Sequence, residues 1–276
     1  MKNTKLFIRC FILFFTTLPL IAYSQVSFDQ LIDEALAEKH RTPAYIERDK
    51  YRNPKDTLLF FGLTPEQSVI EITPGYGWYA EILAPLMRAK GEYHYASLTL
   101  HKDINPYFVR IEKAFKEKMS ANPDVYEKLR WIHFNPKDPV FAPDGPVDMV
   151  LTFRNVHNWA KAGSAESMFA GFAKALKPGG ILGLVEHRAK PGTPLDQQIK
   201  SGYMTVEYVV STAKKAGFRL DDSSEVNANP KDKANHPNGV WNLLPSMRGV
   251  SDQDKPIIKA IGESDRMTLR FIKPIK

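Results

Sequence analysis

The sequence predicts an α/β fold in which helices cover both faces of an open, mostly parallel sheet. Two observations point to it. Short apolar segments of strand length recur along the chain, and segments with the apolar spacing of amphipathic helices separate them. Strands that alternate with helices are typical of parallel βαβ units. The predicted strands occupy residues 68–72, 93–98, 131–134, 148–153, 181–186, 218–221 and 267–272.

The segment 267–272 alternates apolar and polar residues, which predicts a final strand with one solvated face. Within the sheet region, helices are predicted at 78–87, 106–118, 165–176 and 205–216. Two more helical stretches, 28–40 and 57–61, precede the first strand, and Ser27 is a suitable N-cap for the earlier one.

A single domain is predicted after the N-terminal leader. It has an N-terminal helical extension over 25–63 and an α/β core over 64–276. The core carries two long loops, 188–196 and 227–244. Loops of this length in a compact domain are often lids or substrate walls, and the alternative is a surface insertion without a functional role.

The N-terminus has the pattern of a signal peptide. Positive charges at Lys2, Lys5 and Arg9 precede an apolar run over 10–21, which is short for a bilayer span, and Ala22-Tyr23-Ser24 then supplies small residues at a cleavage site. We therefore expect cleavage after Ser24 and an exported protein, periplasmic or secreted, without stable membrane insertion. The alternative is an uncleaved N-terminal anchor.

Composition excludes several classes of function. The chain of 276 residues is 43% hydrophobic and 25% charged, as expected of a globular protein. Its only cysteine, Cys10, lies in the leader, so the mature chain can form no disulfide and has no thiolate for a metal site or a nucleophile. The net charge is +7, but basic and acidic residues are interspersed, and no basic stripe indicates a nucleic-acid partner.

A glycine loop follows the first predicted strand, with Pro74, Gly75 and Gly77 directly after it. Ligands of open α/β sheets bind beyond the carboxyl ends of the strands, and glycines let the backbone approach them closely. Residues 75–80 fit the dinucleotide fingerprint Gly-x-Gly-x-x-Ala. Glu71 argues for a different ligand, because a carboxylate there would repel a pyrophosphate. A nucleoside that carries a cationic amino-acid tail fits better.

Three motifs in this order resemble the class I S-adenosylmethionine-dependent methyltransferases. Residues 71–77 (Glu-Ile-Thr-Pro-Gly-Tyr-Gly) are similar to the first motif of that superfamily, 143–150 to the approach to its fourth strand, and 176–182 to its Leu-Lys-Pro-Gly-Gly turn. The resemblance implies a Rossmann-like sheet of seven strands with the last one antiparallel, S-adenosyl-L-methionine as cofactor, and methyl transfer to a small molecule.

The chain looks closest to the "predicted methyltransferase" family that carries signal peptides. The stretches that match are 48–54, 74–79, 153–159 and 264–267, and the resemblance covers nearly all of the mature chain.

The resemblance also implies the residues that bind the cofactor. Thr73 stands where the first glycine is usual, and Ser97 stands at the end of the second strand, where an acid usually binds the ribose hydroxyls. Arg154 could pair with the carboxylate of the cofactor. The predicted cofactor-binding residues are Glu71, Thr73, Pro74, Gly75, Gly77, Trp78, Ser97, Arg154 and Asn155.

Candidate catalytic residues follow the fourth and fifth strands, beside the expected methyl group. His157 is the first candidate for a base or a substrate ligand, and the alternative is that it only caps and packs the next helix. Glu186 or His187 could act as acid or base, and the alternative is an ion-pair network that holds the loop. Weaker candidates are Asp49, Tyr203, Trp241, Asp265 and Arg266.

No metal site is predicted, because His157, His187, His236 and Asp232 have no recognisable ligand spacing. Two other functions remain open beside the methyltransferase. One is a non-catalytic exported binding or accessory protein on a methyltransferase scaffold. The other is an exported NAD-dependent oxidoreductase, which rests on the dinucleotide fingerprint alone. The methyl acceptor and its acceptor atom are not indicated by the sequence.

Overall fold

A seven-stranded sheet forms the centre of the molecule, in the order β3-β2-β1-β4-β5-β7-β6. The computed structural model describes residues 27–142 and 144–275. The expected signal peptide and its cleavage site therefore lie outside the described residues. The strands are β1 (Ser68–Ile72), β2 (Glu92–Leu98), β3 (Arg130–Phe134), β4 (Val147–Phe153), β5 (Leu176–His187), β6 (Arg219–Ser224) and β7 (Arg266–Ile272).

The pairing of the strands confirms the predicted fold class. β1 to β5 are parallel to one another, while β7 runs antiparallel to both β5 and β6. The prediction of one solvated face on the last strand is wrong. β7 is inserted between two other strands, and five of its seven residues are buried. Its polar residues Arg266 and Thr268 are buried because they have hydrogen-bond partners there.

Helices cover both faces of this sheet. The helices are α1 (Phe28–Ala37), α2 (Pro43–Ile46), α3 (Asp49–Arg52), α4 (Pro54–Phe61), α5 (Ala80–Met87), α6 (Pro106–Ala121), α7 (Pro123–Tyr126), α8 (Val156–Ala162), α9 (Ala165–Ala175), α10 (Leu195–Ser201), α11 (Val206–Lys215) and α12 (Lys255–Ile261), with a 3₁₀ turn at Gly239–Asn242. None of these helices combines the length and the apolar character that a membrane crossing requires, within the residues described.

The N-terminal extension is built from short helices with clear boundaries. Ser27 and Gln30 form a capping box at the start of α1, as the N-cap prediction requires. Asn53 adopts the left-handed conformation between α3 and α4, and Gly62 does the same at the end of α4. α1 packs on α5, and α4 packs on β5 and β7, so the extension lies against the core of the sheet.

Two apolar clusters lie on opposite faces of the sheet. Ile70 and Ile72 of β1 belong to one cluster and Val69 to the other, because successive side chains of a strand point to opposite faces. The central parallel strands are buried on both sides, which explains their almost continuous apolar sequence. The strand ends that carry the glycine loop are thereby held on a rigid support.

Candidate functional site

A cavity of about 1150 Å³ opens at the carboxyl ends of β1 and β4. These two strands are neighbours, and the chain order of the sheet reverses there, as expected of a ligand site in an open α/β fold. Sites for one drug-sized ligand measure roughly 300–1,000 Å³, so this cavity is larger than a single such ligand requires. The predicted site residues on its wall are Glu71, Thr73, Pro74, Gly75, Trp78, Arg154, Asn155, His157 and His187.

The loop after β1 has the conformation that its glycines allow. Gly75 and Gly77 have positive φ angles of 66° and 80°, and Thr73 has one of 50°, which is unusual for a residue with a branched side chain. The Thr73 hydroxyl is buried and has no hydrogen-bond partner among residues 27–142 and 144–275, and Thr73 lines the cavity. A buried hydroxyl without a partner indicates that a ligand supplies the missing bond.

Glu71 is buried at the base of this loop. The hydroxyl of Tyr93 donates to its carboxyl group at 2.6 Å. Desolvation raises the pKa of Glu71 to about 8, although the Tyr93 hydrogen bond and the charges of Arg154 and Arg52 act in the opposite direction. In the free protein the group is therefore largely protonated near pH 7. A cationic ligand group beside it would favour the carboxylate form.

Two arginines face the same end of the cavity. Arg52 is 3% exposed and lies over the ring of Trp78, 4.6 Å from the ring centre. One of its terminal nitrogens is buried and has no hydrogen-bond partner in the described part of the chain. Arg154 follows β4 with a φ of 62°, and its guanidinium has no acidic partner within residues 27–142 and 144–275. Desolvation lowers the pKa of Arg154 to about 10. Both groups indicate an anionic ligand.

One carboxylate compensates part of this positive charge. Glu263 binds Arg48 at 2.6 Å and both Arg52 and Arg266 at 3.2 Å. Desolvation alone would raise the pKa of Glu263, but the surrounding arginines, Arg52 foremost, outweigh it and lower the pKa to about 2. Glu263 thus remains ionised, and the cluster still holds more positive than negative charge.

His157 and Glu186 form a buried pair at the ends of α8 and β5. His157 Nδ1 lies 3.1 Å from the Glu186 carboxylate, which also accepts the backbone N–H of His157 and of His187. A carboxylate only accepts, so Nδ1 carries the proton and Nε2 is the basic nitrogen. Glu186 itself lies behind His157 rather than on the cavity wall. It is therefore placed to orient His157.

His187 lies beside this pair, with ring centres of the two histidines 5.4 Å apart. Its Nδ1 is 2.5 Å from the Ser264 hydroxyl. Burial lowers the pKa of His187 well below its usual range, and the nearby charges of His157 and Arg154 lower it further. His187 is therefore neutral at physiological pH.

The three side chains offer ligand atoms within 4.8 Å of one another, a spacing that a metal ion could use. Two features favour acid–base chemistry instead. The Glu186 carboxylate already accepts three N–H bonds, and arginines surround the site. A cation would enter a positively charged neighbourhood.

The wall opposite the glycine loop comes from the end of the second long loop and the residues after it. Trp241 is partly buried, and its ring centre lies 6.2 Å from that of His157. Asn242 holds this segment, because its side chain bonds the Arg248 carbonyl and the Asn238 N–H, both at 2.7 Å. Of loop 227–244, Val240, Trp241 and Leu244 line the cavity. The loop 188–196 does not line the cavity.

The end of the cavity at β2 and β3 is mainly apolar. Leu98, Phe108, Pro136 and Trp159 line it. Ser164 also lines the cavity, and its hydroxyl is buried with no hydrogen-bond partner within the residues that the structure describes. A flat base with polar edges would fit these surroundings.

Some predicted site residues have other contacts. The Ser97 hydroxyl accepts the Trp131 indole N–H at 2.7 Å, and Ser97 is not on the wall of the large cavity. Gly77 lies against the ring of Phe115 instead of the cavity. The Asn155 amide donates to the Ile72 carbonyl at 2.9 Å, so it ties β1 to β4.

Among the weaker candidates, only Trp241 is on the cavity wall. Asp49 pairs with Arg41, and Tyr203 donates to Asp232. Asp265 pairs with Arg188, as expected of an ion-pair network that holds the loop. Arg266 belongs to the Glu263 cluster.

Arg52 is the functional candidate that the sequence reasoning missed. It stands among alternating basic and acidic residues of the N-terminal extension, and only its complete burial singles it out.

No protein-family model and no curated protein matches the chain. Solved structures match it in fold. A S-adenosylmethionine-dependent methyltransferase from Aquifex aeolicus has a TM-score of 0.54 at 13% identity, over 90% of this chain and 100% of that one. The [4+2]-cyclase SpnF has a TM-score of 0.55 at 14% identity, over 89% and 93%.

Human N-acetylserotonin methyltransferase, in a complex with S-adenosylmethionine, has a TM-score of 0.52 at 14% identity. The match covers 90% of this chain and 57% of the human one. At these identities the likeness concerns the fold and not the reaction. The sheet order, the antiparallel β7 and these neighbours together show that the chain has the Rossmann-like fold of the class I S-adenosylmethionine-dependent methyltransferases.

Proposed function

We propose that the protein is a methyltransferase that uses S-adenosyl-L-methionine and acts on a small-molecule acceptor. The observation that supports it most is the charge arrangement at the end of β1. Two guanidinium groups and one carboxyl group converge on the cavity there. An amino-acid tail has one carboxylate and one ammonium group, and the cofactor carries such a tail next to its sulfonium.

The residues present fit that cofactor. Arg52 and Arg154 would bind its carboxylate, and Glu71 would ionise beside its ammonium group. The Thr73 hydroxyl, buried without a partner, would complete a hydrogen bond to it. The apolar end of the cavity beside Leu98 and Pro136 would take the adenine. The human neighbour of the same fold has this cofactor bound.

When bound, S-adenosylmethionine supplies a methyl group on a positively charged sulfur. The chain then has to position the acceptor, exclude water and take up a proton if the acceptor starts protonated. His157 is placed to take that proton at Nε2, and Glu186 would stabilise the imidazolium that results. Trp241 covers the cavity on the acceptor side.

Calorimetry with the purified protein tests the proposal. We expect S-adenosylmethionine and S-adenosylhomocysteine to bind, and Arg154→Gln to weaken both roughly tenfold or more, because a hydrogen bond to a charged group contributes about 1.5–3 kcal/mol. Lys259→Gln, at an exposed lysine of α12, is the matched control and should bind as the unaltered protein does. Absence of binding at millimolar ligand would refute the methyltransferase proposal and favour the accessory-protein alternative.

We also propose that the protein is exported and cleaved after Ser24, as in the signal-peptide-bearing family that it resembles. The charged start, the apolar run over 10–21 and the small residues before position 25 support this. N-terminal sequencing of the protein recovered from the cell envelope or the medium should begin at Gln25. A chain that still begins at Met1 would contradict it.

A further inference from the structure

The acceptor half of the cavity carries a candidate base, and a base is needed only for some chemical classes of methyl acceptor. His157 points its basic nitrogen away from Glu186, and His157 lines the cavity. A buried base contributes to methyl transfer only when the nucleophilic atom starts with a proton. A carboxylate or a tertiary amine acceptor would not need it. The pair therefore indicates an acceptor with a hydroxyl, thiol or protonated amine.

The charges on the wall disfavour a cationic acceptor. Besides the two arginines assigned to the cofactor, Lys161 and Arg248 line the cavity, and neither side chain pairs with an acid in the part of the chain that the structure describes. The only carboxyl group on the wall, in the same residues, is Glu71, and that group lies at the cofactor end. Like charges in a cleft repel a ligand, whereas opposite charges concentrate it. An ammonium acceptor is disfavoured, and an acceptor with a negative group is favoured.

The shape and polarity of the wall indicate that the methyl acceptor contains a ring. Val240, Trp241, Leu244 and Pro245 supply apolar or aromatic surface on the cavity wall, and the Trp241 ring lies 6.2 Å from that of His157. Arg248 is exposed and lies over the Trp241 ring, 6.0 Å from its centre. A flat aromatic acceptor can pack on this surface while its charged substituent meets Arg248.

We infer that the methyl acceptor is the hydroxyl group of an aromatic compound that carries a negative charge elsewhere, such as a phenolic acid. This inference rests on the proposed function. In the reaction His157 Nε2 takes the hydroxyl proton, and an oxygen lone pair forms the new bond to the methyl carbon. The bond between that carbon and the sulfonium breaks, and its electron pair stays on sulfur, which becomes a neutral thioether.

Three probes with the same phenol ring and different charges test the inference: 4-hydroxyphenylacetate is anionic, tyrosol is neutral and tyramine is cationic. Each is titrated calorimetrically into the protein saturated with S-adenosylhomocysteine. We expect the anion to bind at least fivefold more tightly than tyrosol, and tyramine to bind most weakly. Equal or tighter binding of tyramine would overturn the charge argument.

The base is tested by the rate at which the protein methylates 4-hydroxyphenylacetate with S-adenosylmethionine. Glu186→Gln removes the carboxylate that orients His157. We expect it to lower kcat roughly a hundredfold, because a positioned base contributes about 10²–10⁴-fold, while the calorimetric affinity for the probe stays within about twofold. A merely structural role of the pair would instead weaken binding of the probe. No methylation by the unaltered protein, or a kcat that Glu186→Gln leaves unchanged, would contradict the inference.

Arg248→Gln should remove the preference for the anion over tyrosol, while the affinity for tyrosol stays within twofold. Lys259→Gln, at an exposed residue that is not on the cavity wall, should keep the preference. If S-adenosylhomocysteine binds and no phenol does, the inference fails and the proposed function stands. If S-adenosylhomocysteine itself does not bind, the proposed function fails.

Discussion

At the scale of single residues, burial controls the charge of the groups that line the cavity. Glu71 is a protonated acid in the free protein because desolvation outweighs its Tyr93 hydrogen bond and the nearby arginines. Arg52 is desolvated as well, and Arg154 beside it further lowers the Arg52 pKa. A bound ligand with opposite charges would offset the cost of desolvating these groups. The cavity is therefore prepared for a zwitterionic ligand.

The pH dependence of stability tests the state of Glu71. Its pKa rises from 4.5 to about 8 on folding. The folded state therefore holds the proton more strongly, and the stabilisation that it gains is present below pH 4.5 and is lost as pH rises through 8. Glu71→Gln does not titrate. Urea unfolding is measured at pH 6, 7, 8 and 9. The free energy of unfolding of the variant should rise relative to that of the unaltered protein by about 1 kcal/mol per pH unit up to pH 8.

Above pH 8 the difference should level off, because Glu71 is then ionised in both states. The comparison between the two proteins removes the contribution of every group other than Glu71 and its direct neighbours. A difference in unfolding free energy that is constant from pH 6 to 9 would show that the folded Glu71 has an ordinary pKa.

At the scale of elements, one glycine sets the distance between the glycine loop after β1 and α6. A Cβ atom at Gly77 would collide with the ring of Phe115, which stacks on Tyr95 of β2 at 4.2 Å between ring centres. Gly77 thus serves the packing of α6 on the loop. Gly75 lines the cavity, and a Cβ atom there would meet no other group.

Two glycine substitutions separate packing from backbone strain. Gly77→Ala and Gly163→Ala both place alanine at a positive φ, of 80° and 68°. That conformation alone costs roughly 1–2 kcal/mol. Only the alanine at 77 meets another group, so we expect it to lose a further 1–3 kcal/mol, roughly, from overpacking. Urea unfolding measures both losses, and equal losses would show that α6 can move away without cost.

At the scale of the whole molecule, the N-terminal extension is part of the site. Arg48 and Arg52 come from the extension, and Glu263 comes from the segment just before β7, yet all three meet in one cluster beside the cavity. Arg266 joins them from β7. The cluster connects the two ends of the described chain and positions Arg52 for the ligand.

Removing Glu263 should therefore affect the fold more than removing an exposed acid. Glu263→Gln leaves buried arginines without their counter-charge, and we expect a loss of roughly 3–5 kcal/mol in the free energy of unfolding at pH 7. Glu66→Gln breaks an exposed pair with Lys90 and should cost about 0–1 kcal/mol. Chemical denaturation measures both, and similar losses would mean that solvent or an ion compensates the cluster.

Folding shifts the pKa values of Glu263 and Glu71 in opposite directions, so the stability that each contributes depends on pH with opposite sign. The pKa of Glu263 falls from 4.5 to about 2 on folding, so its stabilisation is present above pH 4.5 and is lost as pH falls through 2. As pH falls from neutral, the free energies of unfolding of Glu263→Gln and of the unaltered protein should therefore become equal only in strong acid.

Much of the fold could be predicted because it depends on local patterns. The strand Ser68–Ile72 has the predicted bounds, and the other strands differ mainly at their ends. β5 starts earlier than predicted, since the turn residues before 181 already pair with β4 at Leu176. The prediction of a solvated face on β7 was wrong because the alternation of the strand does not reveal that α4 of the N-terminal extension packs over it.

The candidate site was predictable where one segment carries it. Glu71, Thr73 and Gly75 lie on the cavity as expected, because strand and loop bring them to one sheet edge. Their assignment to the cofactor and that of His157, Glu186 and His187 to catalysis remain predictions. Ser97 has the predicted place at the end of β2, but its hydroxyl accepts a hydrogen bond from Trp131, which belongs to another strand.

The sequence by itself therefore determined the sheet, the cofactor loop and the order of the motifs, because periodicity and glycine positions act over a few residues. Only the tertiary structure decided that Arg52 meets Glu263, 211 positions away, and that His157 pairs with Glu186. Both contacts arise when separate elements pack around one cavity. Burial then changes the charge of the groups it encloses, and no local pattern carries that information.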